Sequence, residues 1–316
     1  MAGRSPVIGG PRRVLVTGGS GFIGSHCLAP LVARGYEVHA VSGGGRRPPE
    51  ADVTWHVVDL LASGSATALV DEVRPSHLLH LAWFVVPGEV ISAPANYDWV
   101  VRSVDLLRAF AARGGTRAVV SGSAYEYDWR YGYCNEARTP LVPTTVYGSC
   151  KLALWTLADS ITREAGVSLA WPRPFFMYGP REHPNRLVAA VARAMLRGEP
   201  ARTSHGRQIR DYLHVQDVAD GMVAILDGGV TGPVNVGGGE AVTIREIVTR
   251  IGQIAGRPDL LELGALPARA NDAPLVVADP TRLIEEVGWR PAYDLQAGLE
   301  ETVAWWREEL AREGAA

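Results

Sequence analysis

The stretch that most constrains the fold is a short apolar strand that runs directly into three glycines and a helix. Residues 13–17 read RVLVT, and TGGSGFIGSH follows at 17–26. Gly18, Gly21 and Gly24 have the GxxGxxG spacing, which permits a tight turn, close approach of the backbone to a pyrophosphate, and close helix–strand packing. Backbone N–H groups at the helix start would face the phosphates. This stretch predicts a dinucleotide-binding loop that also contains Phe22 and Ile23.

Strands and helices alternate beyond this loop, through residue 175. The apolar runs lie at 36–41, 53–58, 76–84, 117–123 and 167–173, with helical segments near 97–112 and 147–165. Such alternation predicts an α/β fold with a doubly wound parallel sheet. We therefore expect a Rossmann domain at 1–175, to which the chain returns near 205–238. A smaller α/β lobe at 176–316 would bind the substrate.

The residues after the second strand bear on the kind of dinucleotide. That strand ends near Ser42, where an NAD-selective fold carries an acidic residue that holds the ribose 2′-hydroxyl. The chain instead continues with three glycines and Arg46-Arg47. Two guanidinium groups could hold a 2′-phosphate, or they could form a solvated pair in a loop. The pattern favours NADP(H), with NAD as the alternative.

Further candidates lie at the carboxyl ends of the predicted strands, the edge of a parallel sheet where ligands bind. Asp59 and Leu60 follow the third strand and suit the adenine amino group and ring. The fourth strand ends in Leu81, Ala82, Trp83 and Phe84. The last two, both aromatic, either close over cofactor or substrate or cap the core.

The chain contains 31 lysines and arginines, and only Lys151 is a lysine. So strong a preference for arginine predicts that this position needs a compact ammonium. Tyr147 and Lys151 are four residues apart and would share one helix face, where the cation helps the phenol act as an acid or base near neutral pH. In isolation, such a pair would more simply be a surface contact. Ser123, at the fifth strand's end, either orients a substrate oxygen or occupies a turn.

Composition argues against several other classes of protein. A net charge of −3 gives no bulk attraction to nucleic acid or anionic membranes. Cys27, Cys134 and Cys150 lack the spacing of a disulfide framework or a metal site. The start lacks the apolar segment of a signal peptide, and no apolar run has membrane-spanning length. We expect a cytoplasmic protein with no metal, nucleic-acid or membrane partner.

Two segments after residue 175 suggest ligand contact. One is the loop from Tyr178 to Arg181, and the other is GRQIRDYLHVQDV at 206–218. In the second segment, Asp211 could hold Arg210 and aim it at a diphosphate. A surface ion pair is the simpler interpretation.

Together these motifs resemble those of the extended short-chain dehydrogenase/reductases, the nucleotide-sugar epimerase/dehydratase family. The motifs are TGGSGFIGSH, Asp59-Leu60, Ser123, Tyr147/Lys151, RPFFMYGP, RQIRDYLHVQDV and NVGGGEAVT. The resemblance covers nearly the whole chain. It implies that Tyr147 is the catalytic acid/base and that Ser123 binds the reacting oxygen. It also implies that Lys151 binds the nicotinamide ribose and lowers the phenol pKa.

The same resemblance implies the remaining ligands, with a nucleotide sugar as the substrate. Pro174 joins the cofactor contacts, with Leu81, Ala82 and Trp83. The implied substrate contacts are Trp83, Phe84, Tyr125, Tyr178, Arg181, Arg210 and Arg269. A homodimer is expected, in which the helices near 97–112 and 147–165 form a four-helix bundle.

Departures from the family pattern bear on the reaction. Family 4,6-dehydratases carry Thr-Asp-Glu where this chain has Ser123-Ala124-Tyr125, and UDP-glucuronate decarboxylases keep a Glu at the position of Tyr125. Glu126 could replace that acid only after a slip of one residue. Phe176 and Trp99 occupy positions that often carry asparagine. Ketone reduction and epimerisation through a ketone therefore remain.

The residues after the second strand favour the reductase. The prediction is NADPH-dependent reduction of the C4 ketone of a nucleotide-linked 4-keto-6-deoxyhexose, with hydride from NADPH and a proton from Tyr147. The segment YEYDWRYGYCNEARTP also resembles 4-ketoreductases of deoxysugar pathways. The alternative is an NAD(P)-dependent nucleotide-sugar 4-epimerase. A reductase of a non-nucleotide carbonyl compound is a less favoured alternative. A non-catalytic NADP-binding protein is disfavoured because the Tyr/Lys pair is retained.

Overall fold

The alternating strands and helices build a parallel sheet with helices on both faces. The structure is a computed structural model that describes residues 12–44, 52–268 and 272–315. The strands are β1 (Arg13–Thr17), β2 (Glu37–Ser42), β3 (Val53–Val57), β4 (His77–His80), β5 (Arg117–Val120), β6 (Tyr133–Cys134), β7 (Ser168–Pro174), β8 (Phe176–Tyr178), β9 (Ala201–Thr203), β10 (Ile209–Arg210), β11 (Tyr212–His214), β12 (Gly232–Val236), β13 (Val242–Thr243), β14 (Leu261–Leu263) and β15 (Leu275–Ala278). The helices are α1 (Gly24–Ala33), α2 (Ser65–Val73), α3 (Ala95–Ala112), α4 (Val146–Ala165), α5 (Leu187–Leu196), α6 (Val215–Asp227), α7 (Ile244–Ala255), α8 (Thr281–Glu285) and α9 (Leu295–Ala315).

Within the described residues, the main sheet has seven strands in the order β12-β7-β5-β4-β1-β2-β3, all paired in parallel. The strand order reverses at β1, which pairs with β2 on one side and β4 on the other. This is the doubly wound Rossmann arrangement, in which ligands bind beside the reversal point at the carboxyl edge. The predicted α/β fold class is therefore confirmed.

The central strands are apolar on both faces because helices cover both sides of the sheet. Val14, Leu15 and Val16 of β1 are fully buried. Val14 and Val16 join the core beneath α1 and α6, whereas Leu15 joins the core that contains α2, α3 and α4. Because β1 is packed on both faces, the position of its carboxyl end, and of the glycine turn that follows it, is fixed.

The C-terminal part contributes smaller sheets and a helical core. One sheet has the order β13-β10-β15-β6, and two strand pairs, β8 with β11 and β9 with β14, lie beside it. Helices α5, α7 and α9 pack together around Val191, Ile251 and Leu299. The main sheet also takes its last strand, β12, from this part of the chain.

Two strands are shorter than the sequence indicated. The predicted runs 76–84 and 117–123 form ladders only as far as His80 and Val120. The residues beyond these points leave the sheet as loops at its carboxyl edge. In the described part of the chain, no helix has the length and apolar character needed to cross a membrane.

Candidate active site

The turn after β1 has no room for side chains. Gly18 has φ of +72°, and a Cβ there would lie 2.8 Å from the backbone nitrogen of Ala82. At Gly24 a Cβ would lie 2.1 Å from the carbonyl oxygen of Gly18, and at Gly21 3.1 Å from the same atom. These close approaches explain all three glycines. They leave bare backbone before α1, which fits a dinucleotide pyrophosphate.

The end of β4 is fixed to this turn by a buried hydrogen-bond chain. The backbone N–H groups of Leu81 and Ala82 each donate to the Thr17 hydroxyl at 3.2 Å. That hydroxyl lies 2.6 Å from Nδ1 of His80, whose Nε2 lies 2.8 Å from the Ser103 hydroxyl. Burial lowers the pKa of His80 to about 3, so this imidazole is neutral. It is a structural group that positions the cofactor-side loop.

The end of β2 is polar, and the described residues at that end include no carboxylate. Ser42 is buried there, and its hydroxyl accepts a hydrogen bond from Ser20 at 3.3 Å. Asp59 is exposed and accepts the N–H of Leu61 at 2.9 Å, whereas Leu60 is buried. The predicted phosphate ligands Arg46 and Arg47 lie outside the described residues.

Tyr147 lies in the first turn of α4, close to Ser123. Thr145 caps this helix by accepting the N–H of Gly148 at 3.0 Å, which fixes where the helix begins. Burial raises the pKa of Tyr147 to about 12, while the hydrogen bond with Ser123 and the positive charge of Arg186 lower it. The phenol is thus protonated at rest and lies beside a hydroxyl and a cation that favour its ionised form.

Lys151 follows one turn later and points into the same site. Its Nζ donates to the carbonyl oxygen of Ser121 at 2.9 Å and lies 3.6 Å from the ring centroid of Trp83. The centroid of the Tyr147 ring is 5.9 Å away. Burial lowers the pKa of Lys151 to about 7. The structure therefore brings together all three predicted catalytic residues.

Glu126 is not available as the acid of a dehydratase or decarboxylase. It is fully buried, and its carboxylate accepts from Arg173 Nε at 2.7 Å, Trp171 Nε1 at 3.0 Å and the Ser123 N–H at 2.8 Å. Arg173 is also fully buried. These contacts occupy the carboxylate in an internal ion pair that fixes the Ser123 turn, so the slip considered from the sequence does not occur.

Aromatic rings extend from Tyr147 toward the C-terminal part. The ring of Tyr125 lies 5.6 Å from that of Tyr147 and 4.5 Å from that of Trp129. Phe176 lies 6.1 Å from Trp129 and 5.5 Å from Tyr212. We call Tyr125, Trp129, Phe176 and Tyr212 the aromatic wall. Sequence reasoning missed Trp129 and Tyr212, although the aromatic-rich segment around Trp129 was a signal.

Arg210 borders this wall but does not pair with Asp211, contrary to the sequence interpretation. Its guanidinium lies 5.3 Å from the Phe176 ring centroid and donates to Asp272 at 2.6 Å. Asp211 instead accepts backbone N–H groups of Gly238, Gly239 and Ala278. Neighbouring residues of an extended chain point in opposite directions, so the Asp211 carboxylate lies on the opposite side of the chain from the Arg210 guanidinium. Arg269 lies outside the described residues.

The other predicted contacts are distributed around the site. Pro174 is buried at the end of β7, and Phe84 is half-buried beside the core of the Rossmann sheet. Tyr178 is buried in the C-terminal core, where its hydroxyl donates to the carbonyl of Leu295 at 3.4 Å. Arg181 is exposed with φ of +68°, an unusual backbone conformation for a non-glycine residue.

The loop before α5 supplies two charged residues that the sequence did not indicate. Glu182 is buried, and its carboxyl accepts the backbone N–H of Ala189 in α5. Burial raises the pKa of Glu182 to about 8, opposed by the charge of Arg186. The positive charge of Arg186 thus lowers the pKa of both Glu182 and Tyr147. No cluster of metal-binding side chains is found in the residues for which coordinates are described.

Known proteins are similar to this chain in sequence and in fold. The model of the NAD dependent epimerase/dehydratase family matches residues 14–237. The UDP-glucose 4-epimerase of Corynebacterium glutamicum is 28% identical over 93% of this chain and 94% of its own. The UDP-glucuronic acid decarboxylase 1 of Xenopus tropicalis is 27% identical over 95% of this chain and 73% of its own.

Solved structures agree with these sequence matches. The UDP-glucose 4-epimerase of Thermus thermophilus, in complex with NAD, superposes with a TM-score of 0.84 at 29% identity, and the match covers 93% of this chain and 99% of that one. The family model spans well over half of the chain and includes the glycine turn, Ser123, Tyr147 and Lys151. The chain belongs to the NAD dependent epimerase/dehydratase family.

Proposed function

We propose that the protein is a nucleotide-sugar 4-epimerase that acts on a UDP-linked hexose through a 4-keto intermediate and retains NAD between turnovers. The observation that carries this proposal is the Ser123–Tyr147–Lys151 set beside a Glu126 that is occupied by Arg173. Within the described residues, that set is the acid–base machinery next to the glycine turn. It suits oxidation and reduction at a carbinol carbon, which need one proton acceptor and donor.

The reaction demands little more than this set. Nicotinamide, if held beside Tyr147 and Lys151, would supply the hydride acceptor and donor that oxidation and reduction at C4 require. Tyr147 first ionises and releases its own proton to solvent; the tyrosinate then takes the proton of the C4 hydroxyl and later gives it back to the alkoxide, while Ser123 holds the same oxygen. Arg186 stabilises the tyrosinate form. A protonated Lys151, whose Nζ lies 5.9 Å from the Tyr147 ring centroid, would add to this stabilisation. Since the phenol ends in its starting state, no co-substrate is consumed.

Elimination and decarboxylation are disfavoured by the same geometry. A 4,6-dehydratase must remove a proton at C5 and deliver one at C6, which requires carboxyl groups that face the sugar. Glu126 is enclosed by Arg173, Trp171 and the Ser123 turn. The wall residue Tyr125 stands where a second acid would be needed.

The relatives supply the identity of the nucleotide and the cofactor in this proposal. The curated proteins that match across more than nine-tenths of the chain include UDP-glucose 4-epimerases, and the Thermus protein carries NAD. The sequence pattern favoured NADPH because Ser42 replaces a carboxylate. A buried serine hydroxyl can still bind a ribose hydroxyl, so the serine is compatible with NAD.

A second candidate is the NADPH-dependent 4-ketoreductase of a 4-keto-6-deoxyhexose. Two observations favour it: the neutral Ser42 lacks the charge that would repel a 2′-phosphate, and the aromatic wall suits a sugar with fewer hydroxyl groups. In either case residues 1–175, with the return near 205–238, would bind the cofactor. Residues 176–316 would mainly bind the substrate.

The test separates the two candidates in one set of assays. The purified protein is denatured, and the released nucleotide is identified as NAD, NADP or neither. Native protein is then given UDP-glucose without added cofactor, and UDP-galactose formation is followed. In parallel, 4-keto-6-deoxyhexose nucleotides are offered with NADPH. Released NAD with interconversion supports the epimerase; NADPH consumption without interconversion would replace it with the reductase.

A further inference from the structure

We propose that Trp83 is a positioning residue that holds the Lys151 ammonium on its indole face, and that Asn96 fixes the indole in place. The importance of Lys151 itself rests on the proposed function. The positioning role does not, because it concerns the state of one side chain in the folded protein.

The indole has little freedom to move. Its Nε1–H donates to Oδ1 of Asn96 at 2.7 Å, and Asn96 is fully buried. The Asn96 amide nitrogen donates in turn to the carbonyl oxygens of Val90 and Ala93, both at 2.8 Å. Trp99 stacks on Trp83 with a ring separation of 6.1 Å and an interplanar angle of 28°. The indole plane is therefore set by contacts independent of Lys151.

The ammonium lies on the indole face at close range. Lys151 Nζ is 3.6 Å from the Trp83 ring centroid, well inside the roughly 6 Å over which the ring quadrupole attracts a cation. The Ser121 carbonyl, 2.9 Å from the same nitrogen, provides the second contact. The side chains of Lys151 and Trp83 are only 4% and 8% exposed, so water screens this attraction weakly.

These contacts matter because burial works against the charged form of Lys151. Burial lowers its pKa to about 7, while the charge of Glu126 and the nearby Cys150 thiol favour the ammonium. His80 also faces it, but that imidazole is neutral and carries no opposing charge. An attractive indole face adds to the groups that keep the lysine protonated near neutral pH. Its removal should shift the titration of Lys151 downward.

The sole lysine of the chain makes this measurable without any substrate. Protein grown with 13Cε-lysine gives one side-chain NMR signal, whose pH titration reports the pKa of Lys151. In Trp83→Leu we expect that pKa to fall by roughly 0.5 to 1.5 pH units, the size expected for a buried cation–π contact. Trp83→Phe keeps a weaker ring face, so its lysine pKa should lie between those of Trp83→Leu and the unsubstituted protein. Asn96→Ala should give a smaller downward shift.

Trp155→Leu is the matched control. Trp155 lies one turn after Lys151 on the same helix and packs on Trp171 at a ring distance of 5.4 Å. The substitution also replaces a tryptophan of the same hydrophobic core by leucine, but it leaves the contact between the Trp83 indole and the Lys151 ammonium in place. We expect its lysine pKa to equal that of the unsubstituted protein.

Two results would overturn the proposal. One is an unchanged lysine titration in Trp83→Leu or, if that variant does not fold, in both Trp83→Phe and Asn96→Ala. The other is an equal shift in Trp155→Leu and Trp83→Leu, which would reduce the effect to general packing. A protein with the expected titrations but no epimerase or reductase activity would instead contradict the proposed function and leave the positioning role standing.

Discussion

Replacing Glu126 by glutamine tests whether this residue is a structural ion-pair partner or a catalytic acid. In the folded protein its carboxylate accepts three hydrogen bonds, and Arg173 has no solvent exposure. Glutamine is nearly the same size but is neutral. The change therefore leaves the Arg173 guanidinium buried without its counter-charge while disturbing the packing very little.

The expected cost follows from this burial. Removal of one partner of a buried ion pair typically destabilises a protein by about 3 to 5 kcal/mol. For a chain of this size, each kcal/mol lowers the melting midpoint by about 1.5 °C. Glu126→Gln should therefore melt roughly 4 to 8 °C lower. At temperatures where it remains folded, its loss of turnover should be well below the roughly 100-fold expected for a missing general acid, because only the charge that favours the Lys151 ammonium is removed.

Thermal unfolding by circular dichroism and turnover at a low temperature measure the two effects separately. The control is Arg163→Gln, which removes an ion pair with Asp159 in which both partners are exposed and should leave the melting midpoint unchanged. A Glu126→Gln protein that melts normally but loses more than about 100-fold in turnover would refute the structural role. That result would identify Glu126 as the acid that dehydration or decarboxylation needs.

Three further expectations follow from the same structure. Lys151→Arg keeps the charge but replaces a compact ammonium by a planar guanidinium in a buried position. We expect turnover, measured by steady-state kinetics, to fall at least about 100-fold. Cofactor binding, measured by titration calorimetry, should also weaken. Glu182 has a folded-state pKa of about 8 against an ordinary 4.5, so the folded protein keeps a proton that the unfolded chain releases. Stability should fall as pH rises from about 5 to 8, and Glu182→Gln should flatten that dependence in melting curves; an unchanged slope would contradict this. Tyr97 and Val101 on α3 and Leu157 on α4 are exposed apolar residues that suit the expected dimer, so Leu157→Glu should convert a dimer to a monomer in light scattering. A monomeric unsubstituted protein would remove the dimer from the account.

The parts of the site that could be predicted from the sequence depend on short spacings within regular elements. Gly18, Gly21 and Gly24 are three residues apart, and a strand-to-helix turn determines what surrounds each of them. Tyr147 and Lys151 are one helical turn apart, so the prediction of a helix was enough to place them together. The doubly wound parallel sheet followed from the alternation of strands and helices.

The parts that could not be predicted depend on contacts between distant segments. Arg173 reaches Glu126 across 47 positions, and Asp272 reaches Arg210 across 62. Sequence reasoning instead assigned Arg210 its immediate neighbour, Asp211. The direction of a side chain at the end of a short strand depends on the partner strand, which the sequence does not reveal.

The choice between reductase and epimerase shows a similar limit. It was drawn from Ser42 and the arginines that follow it, and thus from one polar side chain and a glycine-rich loop. The family relatives favour epimerisation, which uses the same Tyr147 and Ser123 chemistry without net consumption of the cofactor. Cofactor selectivity is therefore a weaker guide to the reaction than the groups that surround the reacting carbon.

The most direct test of the central claim uses UDP-glucose labelled with deuterium at C4. If the cofactor stays bound and returns the same hydride, the product should be UDP-galactose that keeps the deuterium at C4, formed without added NAD or NADPH. Tyr147→Phe should reduce this conversion by about 10² to 10⁴-fold, as expected for loss of a general acid–base group. Conversion that loses the label, or conversion that continues undiminished in Tyr147→Phe, would contradict the account.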